Sequence, residues 1–260
     1  MKKIMLIIPI LFLPSCTSSD IWGWYVIDPT TKSGWTNIQF LAGGFASTIQ
    51  LSLVAALLSI SLGLIIALPG MSSNYFLRSI YRVYVEFVRA IPLLPMLFWV
   101  FYGLPVVFKS LGLNIGIDAF WGAVLTLAIS DSAFTAEIFR GGIQSIAIGQ
   151  VEAGRSLGLS RRQTMNSIVL PQAMRAIIPP LGNDFIAILK DTSLLSVLGD
   201  LEVTQRARQF SASTFKFREG YFVLAFIYLI LTLGLSLLLG VLERRMTRDD
   251  RNVRSGRGID

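Results

Sequence analysis

The chain contains several apolar stretches that are each long enough to cross a membrane as a helix. A helix needs about 20 mostly apolar residues to span about 30 Å of hydrocarbon. Such stretches cover residues 45–68, 90–108, 120–139, 177–198 and 221–242. The second stretch contains three prolines that are expected to bend it, Pro92, Pro95 and Pro105. Polar residues interrupt the fourth stretch. The pattern predicts an all-α, polytopic bundle of about five transmembrane helices.

The composition supports a membrane protein that does little covalent chemistry. The 260 residues are 53% hydrophobic and 15% charged, and the mean hydropathy is +0.63. A soluble domain carries about 25% charged residues. The absence of histidine excludes Ser-His-Asp and Cys-His nucleophilic schemes. The single cysteine, Cys16, excludes an intrachain disulfide and Cys-rich zinc or iron–sulfur sites. We therefore expect no catalytic residue and no metal site in this chain.

The positions of the basic residues predict the orientation of the bundle. Lys and Arg concentrate in cytoplasmic loops, and most of them here lie in residues 78–82, 140–175 and 244–260. These segments lie on one side of a five-helix bundle, so the amino terminus is expected outside and the carboxyl terminus in the cytoplasm. The outer segment 200–220 is an exception with four basic residues, Arg206, Arg208, Lys216 and Arg218. We interpret the Arg-rich tail, residues 244–260, as a positive-inside anchor rather than a binder of lipid or nucleic acid.

Residues 1–16 are typical of a signal peptide, because two lysines precede a short apolar run. Cys16 ends this segment, and the arrangement resembles a bacterial lipoprotein signal, in which cleavage before the cysteine leaves it lipidated. Pro14 departs from the small residue that is usual there. An ordinary signal, or an uncleaved anchor with an incidental cysteine, is the alternative. Residues 17–42 would then form an extracytoplasmic segment ahead of a transmembrane domain at residues 43–243.

The loop between the third and fourth spans is predicted to hold two short helices. Residues 150–157 favour a helix, and Gly158 is placed to end it in a left-handed conformation. Ser160, with a glutamine three residues later, is typical of a capping box that opens a second helix. That helix is expected to stop at Leu170-Pro171. The cytoplasm would therefore meet a compact helix–turn–helix that is rigid enough to transmit force.

This segment resembles the EAA motif of permease subunits in bacterial ABC importers. The residues that match are Glu152, Ala153, Gly154, Gly158, Leu170 and Pro171, with Gly154 where the motif has alanine. In that family the first helix docks in a groove of the cytoplasmic ATPase. The resemblance implies that residues 140–175 form a coupling segment. The alternative is that Glu152 and Gly158 are only a surface charge and a helix cap.

Flanking residues are similar to the branch of that family that moves polar amino acids such as histidine, arginine, glutamine and glutamate. They are Ala136-Glu137, Arg140-Gly141-Gly142-Ile143, residues 190–194 and Arg89-Ala90-Ile91-Pro92, where Ala90 and Ile91 depart from the pattern. The resemblance covers about residues 40–242 and implies a type I ABC importer-like fold in the plasma (inner) membrane. It implies as partners a cytoplasmic ATPase dimer that binds ATP and Mg, a second permease, an extracytoplasmic amino acid binding protein and membrane lipid. Neither a cofactor in this chain nor a nucleic-acid partner is implied.

Charged residues inside the predicted spans are candidates for the substrate path, since a charge near the bilayer centre is costly. Asp131 lies about 16 Å into the third span, with no cation three or four positions away. It should therefore face a wet cavity, a partner helix or a cationic substrate group. Two faces of the fourth span are polar, one with Asp184 and Asp191 and the other with Asn183 and Lys190. These residues would suit the ammonium and carboxylate of an amino acid, and interhelical pairing is the alternative.

Two further pairs of opposite charge lie at the expected membrane edge. Glu86 precedes Arg89, and Glu137 precedes Arg140, by the three positions that let side chains meet on a helix. Structural pairing and a role in transport explain both pairs equally well.

We interpret the chain as the channel-forming subunit of an amino acid importer. A phosphate loop of the type GxxxxGK[ST] is absent from the sequence, so a separate chain would hydrolyse ATP. One alternative is a secondary transporter driven by an ion gradient, which would predict inverted repeats with broken helices. Another is a membrane enzyme that uses Asp131 and Glu137 as acid and base, but it leaves the cytoplasmic helix–turn–helix unexplained.

Overall fold

A computed structural model describes residues 23–199 and 202–255, with side chains described up to residue 244. The predicted signal peptide and Cys16 lie outside the described residues. A 3-10 helix at Trp24–Ile27 comes first. The α-helices of the first half are α1 (Lys32–Ala42), α2 (Gly44–Gly70), α3 (Tyr75–Ala90), α4 (Leu93–Phe98), α5 (Leu104–Ser110) and α6 (Ala119–Gln144). Those of the second half are α7 (Ile148–Ser156), α8 (Arg161–Thr164), α9 (Leu170–Asp191), α10 (Val203–Thr214) and α11 (Phe217–Ser255).

Four stretches of the described chain are long and apolar enough to cross a membrane. They are Lys32–Gly70, Leu93–Ser110, Ala119–Gln144 and Phe217–Arg244. They contain the first, third and fifth predicted spans and all but the first three residues of the second. The fourth predicted span lies in α9 and in a 3-10 helix at Thr192–Leu198. This stretch does not reach the same apolarity, yet α9 packs inside the bundle against α2, α6 and α11. Among its charged residues, Asp184 is partly covered by the neighbouring helices.

The second span is less regular than its apolar run suggests. It begins at Leu93, because Ile91 and Pro92 are extended and separate it from the preceding helix α3. The predicted bend appears as a π-helical turn at Trp99–Gly103, which joins α4 to α5. There the amide of Leu104 donates to the carbonyl of Trp99, one residue further back than in an α-helix. The wider turn accommodates the ring of Pro105, which cannot donate a hydrogen bond.

The predicted stop at Leu170-Pro171 is wrong. Helix α8 runs into a π-helical turn at Met165–Val169 and on into α9. The amide of Leu170 donates to the carbonyl of Met165, so the turn again widens just before a proline. The second helix of the coupling segment is therefore continuous with the fourth membrane helix.

Helices α2 and α6 form the most extensive contact of the fold. The buried face of α2 carries small residues three or four positions apart, Ser52, Ala56, Ser59, Gly63, Ala67 and Gly70. Such a stripe lets two membrane helices approach closely. A Cβ atom on Gly63 would lie 2.6 Å from Cγ2 of Thr135 on α6. The absence of a side chain at Gly63 therefore sets the separation of the two helices.

The segment before the first span is bound to the outer end of α11. The amide of Gly23 donates to Oε1 of Glu219 at 2.6 Å, and the rings of Trp24 and Phe222 pack edge to face at 5.3 Å. A guanidinium nitrogen of Arg206, on α10, donates to the carbonyl of Phe40 at 3.0 Å. The outer segment 200–220 thus contains a helix that packs on α1. Its basic residue Arg206 has an intrachain role at that position.

Candidate functional site

A polar network inside the bundle joins α2, α6 and α9. The hydroxyl of Ser59 donates to Oδ2 of Asp131 at 2.8 Å. Thr135, one turn further along α6, donates to Oδ2 of Asp184 on α9 at 3.1 Å. The hydroxyls of Ser59 and Thr135 are 2.9 Å apart, and both residues are fully buried. Asp131 and Asp184 are half-buried, so two carboxylates share hydroxyl donors within a membrane-embedded bundle.

This arrangement decides between the environments expected for Asp131. The aspartate contacts Ser59 of α2 and Thr135 of its own helix, and Thr135 links it to Asp184 of α9. Its nearest polar neighbours are hydroxyls and a second carboxylate rather than a cation. Two neighbouring carboxylates attract a proton or a cationic group, because like charges disfavour joint ionisation.

The other polar residues of α9 lie on its open side. Asn183 is exposed, and its amide donates to the carbonyl of Pro179 at 3.2 Å. Lys190 and Asp191 are also exposed at the end of the helix. Lys190 lines a shallow cavity of about 320 Å³ beside Tyr228 of α11. The structure therefore brings Asp184 to Asp131 but leaves the remaining three residues apart from that network.

One of the two pairs expected at the membrane edge forms. A guanidinium nitrogen of Arg140 lies 2.6 Å from Oε2 of Glu137, and another donates to Gln144 at 2.6 Å. The hydroxyl of Tyr81 donates to Glu137 and accepts from Nε of Arg140 at 3.2 Å. These contacts hold the pair in a fixed geometry between α3 and α6.

The second pair does not form an ion pair within the described part of the chain. The guanidinium of Arg89 instead lies over the ring of Phe134, 4.8 Å from its centroid. Glu86 and Arg89 both line a cavity between α3 and α6.

The coupling segment has the predicted compact form. Helix α7 ends before Gly158, whose φ of 83° is left-handed. Ser160 and Gln163 form the complete capping box that opens α8. Glu152 and Ala153 are exposed. A surface of this kind, held by a cap on each side of the turn, is suited to docking on another protein.

Gly154 has a different place from the other matched residues. It is buried, and a Cβ atom there would lie 2.5 Å from Cδ1 of Ile168 and 3.3 Å from Cγ2 of Thr164. Glycine therefore lets α7 lie close to the turn that follows α8. Leu170 and Pro171 are exposed next to that turn.

Sequence reasoning missed four residues of these sites. Ile148 is 75% exposed and Leu157 is 83% exposed, at the two ends of α7. Exposed apolar side chains next to Glu152 would be a signal for a docking surface, but their exposure is visible only in the fold. Ser59 and Thr135 gave no signal, because a buried hydroxyl in an apolar run is common in membrane helices.

Comparisons with known proteins agree with these features. The family described as "binding-protein-dependent transport system inner membrane component" matches residues 59–248. The glutamine transport system permease protein GlnP of Escherichia coli (strain K12) is 36% identical over 212 residues, 82% of this chain and 95% of that protein. The L-cystine transport system permease protein TcyB of Bacillus subtilis (strain 168) is 37% identical over 237 residues, 91% of this chain and 96% of that protein.

Solved structures give the same result for the fold. The crystal structure of an amino acid ABC transporter with histidines contains a chain that is 37% identical, with a TM-score of 0.75. The match covers 82% of this chain and 97% of that chain. The MetNI methionine ABC transporter in inward-facing form is 19% identical with a TM-score of 0.65, and it supports the fold alone.

Proposed function

Because the chain belongs to the family of binding-protein-dependent transport system inner membrane components, we propose that it is the permease subunit of an ATP-binding-cassette importer of polar amino acids. It lies in the inner membrane as a multi-pass protein. The relatives named for glutamine and L-cystine transport support amino acids as the substrate class. Within this class the chain supplies the passage, and an extracytoplasmic binding protein delivers the substrate.

The observation that carries this proposal is the exposed coupling segment. Helix α7 presents Glu152 and Ala153 to solvent, and Leu157, directly after it, is exposed as well. Gly154 lets the helix lie against the rest of the segment. The segment continues through a π-helical turn into α9. A separate ATPase dimer, which binds ATP and Mg, would dock on α7 and move α9 as it closes. A secondary transporter needs no such surface.

The coupling proposal is tested by purification of the tagged chain with its ATPase in mild detergent. Glu152→Arg and Leu157→Asp are each expected to remove the ATPase, because they place a wrong charge on the docking face. A buried wrong charge at an interface costs about 2–5 kcal/mol, enough to lower affinity by roughly 30-fold or more. Asn166→Ala, at an exposed position outside α7, serves as the control and should keep the ATPase. Retention of the ATPase by both α7 variants would contradict the docking surface.

A second part of the proposal concerns the passage. Asp131 and Asp184, with the hydroxyls of Ser59 and Thr135, form a place for the ammonium group of an amino acid. Asn183 would line the passage at the level of Asp184, and Lys190 and Asp191 would line it further toward the outer end of α9. A population shift between inward- and outward-facing states would expose these groups to each side in turn.

Uptake into proteoliposomes that contain the complete transporter tests this assignment. Asp131→Asn and Asp184→Asn are expected to lower ATP-driven uptake by about 10-fold or more, since a charged hydrogen bond contributes about 1.5–3 kcal/mol. Ser61→Ala, an exposed residue on the far side of α2, is the matched control and should transport normally. Full uptake by both asparagine variants would remove the acidic pair from the passage.

A second permease is the partner proposed for the uncovered faces of the bundle. Exposed small and polar residues follow one face of α9, Ala176, Pro180, Asn183 and Ala187. Only 6% of the most apolar part of α11 is buried within the chain. Lipid or a second permease, either another copy or a paralogue, would cover these surfaces.

A further inference from the structure

Helix α3 has two opposed faces along its whole length. Four large apolar side chains on one face are at least half exposed: Phe76, Ile80, Val83 and Phe87. Charged side chains at positions 78, 82, 86 and 89 follow the other face. Tyr81, Val85 and Val88 are buried between the two faces. Since the apolar face suits lipid, the charged face is directed away from lipid.

A cavity of about 570 Å³ lies beside this charged face. Its other walls are the end of α2, at Gly70 and Ser72, and the last turns of α6, at Glu137 and Arg140. The end of α6 leads directly to α7, so the cavity lies on the side of the bundle that the arginine distribution assigns to the cytoplasm. We call it the basic vestibule.

The basic vestibule has a surplus of positive charge. Its ionised side chains are Arg78, Arg82, Arg89, Arg140, Glu86 and Glu137. The Glu137–Arg140 ion pair, at 2.6 Å, neutralises itself. Arg82 and Glu86 make no hydrogen bond or ion pair with any other described residue. The remaining groups are three guanidiniums and one carboxylate, which attract an anion.

The vestibule follows α3 from Arg78, near its start, to Arg89, in its last turn. Arg89 lies about 21 Å along α3 from its first residue, at 1.5 Å per residue. Its guanidinium lies over Phe134, which is 41% exposed. Phe134 follows Asp131 by three positions, about one turn of α6. Arg89 therefore contacts α6, the helix that carries Asp131, about one turn from that residue along the chain.

We infer that the basic vestibule binds the α-carboxylate of the transported amino acid in the cytoplasmic half of the passage, with Arg89 at its inner end and Arg82 toward its exit. This assignment rests on the proposed function. The vestibule offers cations on α3 for the carboxylate, and it is separate from the acidic pair proposed for the ammonium, since Asp131 and Asp184 do not line this cavity. Arg89 then takes the role for the carboxylate that the sequence assigned to Lys190 of α9.

Charge-selective labelling of a cysteine in the vestibule tests the field directly. In a Cys16→Ser background, Met71→Cys places a thiol at the cavity wall, and Gln150→Cys on α7 gives an exposed reference thiol. The complete transporter, in phosphatidylcholine nanodiscs, is treated with an anionic or a cationic methanethiosulfonate. Labelling of the permease is followed by mass.

The anionic reagent is expected to modify Met71→Cys about 10-fold faster than the cationic one, relative to Gln150→Cys, since a charged cleft concentrates counter-ions. Arg82→Gln with Arg89→Gln should reduce this preference to less than about 2-fold. Arg82→Lys with Arg89→Lys, which keeps the charge, should retain it. A preference that is absent, or that survives the glutamine changes, overturns the inference.

The ligand is tested in the same preparation. L-glutamine should slow labelling by the anionic reagent, while L-glutamine α-amide, which lacks the carboxylate, should not. Protection by both compounds, or by neither, overturns the carboxylate assignment. Slow labelling only when the nanodiscs contain phosphatidylglycerol assigns the vestibule to a lipid phosphate instead. Each of these outcomes is separate from ATPase recovery, which tests the importer function itself.

Discussion

Glu202 shows how a single buried carboxylate can organise the outer end of the bundle. Its side chain is fully buried, and it caps α10 by accepting from the amides of Thr204 at 2.7 Å and Gln205 at 2.8 Å. The hydroxyl of Tyr228, on α11, donates to Oε2 at 3.1 Å. Burial raises the pKa of the Glu202 carboxyl, and these hydrogen bonds offset only part of that rise.

The pH dependence of stability should report this residue. The folded state binds the Glu202 proton more tightly than the unfolded state. The contribution of this group is therefore complete below the ordinary glutamate pKa, and it is lost as the pH rises through the raised pKa. We therefore expect the melting temperature of the wild type to fall, relative to that of Glu202→Gln, as the pH rises above the ordinary glutamate pKa.

The measurement is thermal unfolding of the detergent-solubilised chain at several pH values, with wild type and variant compared at each. The difference between the two melting temperatures isolates Glu202 from other titrating groups. If the melting temperatures of the two proteins changed in parallel with pH, a shifted pKa at this position would be excluded.

At the scale of elements, a π-helical turn lets a helix continue past a proline at two places in the chain. A π-helical turn precedes Leu104-Pro105 in the second span and Leu170-Pro171 in the coupling segment. In each case the leucine amide reaches back five residues, which leaves room for the proline ring. At these two prolines the helix therefore continues through a widened turn rather than ending.

Close packing of α2 on α6 gives a prediction about glycine. Gly63→Ala should lower the free energy of unfolding by about 1–3 kcal/mol, because the new methyl would overlap Thr135 and approach the backbone amide of Ala136. Thermal unfolding in detergent measures this loss.

Gly234 supplies the matched control within α11. Nothing lies within 4 Å of a Cβ atom at this position, so Gly234→Ala should leave stability unchanged or raise it by up to about 1 kcal/mol through helix propensity. Equal effects of alanine at the two positions would show that Gly63 does not set the helix separation.

The whole molecule has two differently built ends. One end holds the segment from Gly23 to α1, tied to α10 and α11 by the contacts of Arg206 and Glu219. The other end holds the coupling segment and the open side of the basic vestibule. The arginine distribution assigns the first to the outside and the second to the cytoplasm.

Single-cysteine labelling tests this orientation. In the Cys16→Ser background, Ser213→Cys on the exposed part of α10 should react with an impermeant maleimide added to intact spheroplasts. Gln150→Cys should react only after the membrane is permeabilised. The reverse pattern would invert the orientation of the chain, and reaction of both thiols in intact cells would contradict a sealed preparation or the bundle topology.

The sequence by itself determined the features that depend on local chemistry. A sufficiently long apolar run predicts a membrane helix. In lipid the backbone N–H and C=O groups must all be hydrogen-bonded, and a helix satisfies them within its own segment. The cap at Gly158 and the box at Ser160 and Gln163 depend on residues within a few positions of one another. The spacing of residues in the coupling segment therefore indicates the family from the sequence alone.

Only the tertiary structure decided which residues meet. The contact of Thr135 with Asp184 depends on how α6 and α9 are rotated about their axes. Arg89 lies over Phe134 rather than beside Glu86 because the packing of α3 turns its charged face toward a cavity. A helical repeat in one segment fixes which residues share a face. The face that a neighbouring helix covers is set by packing between segments far apart in sequence.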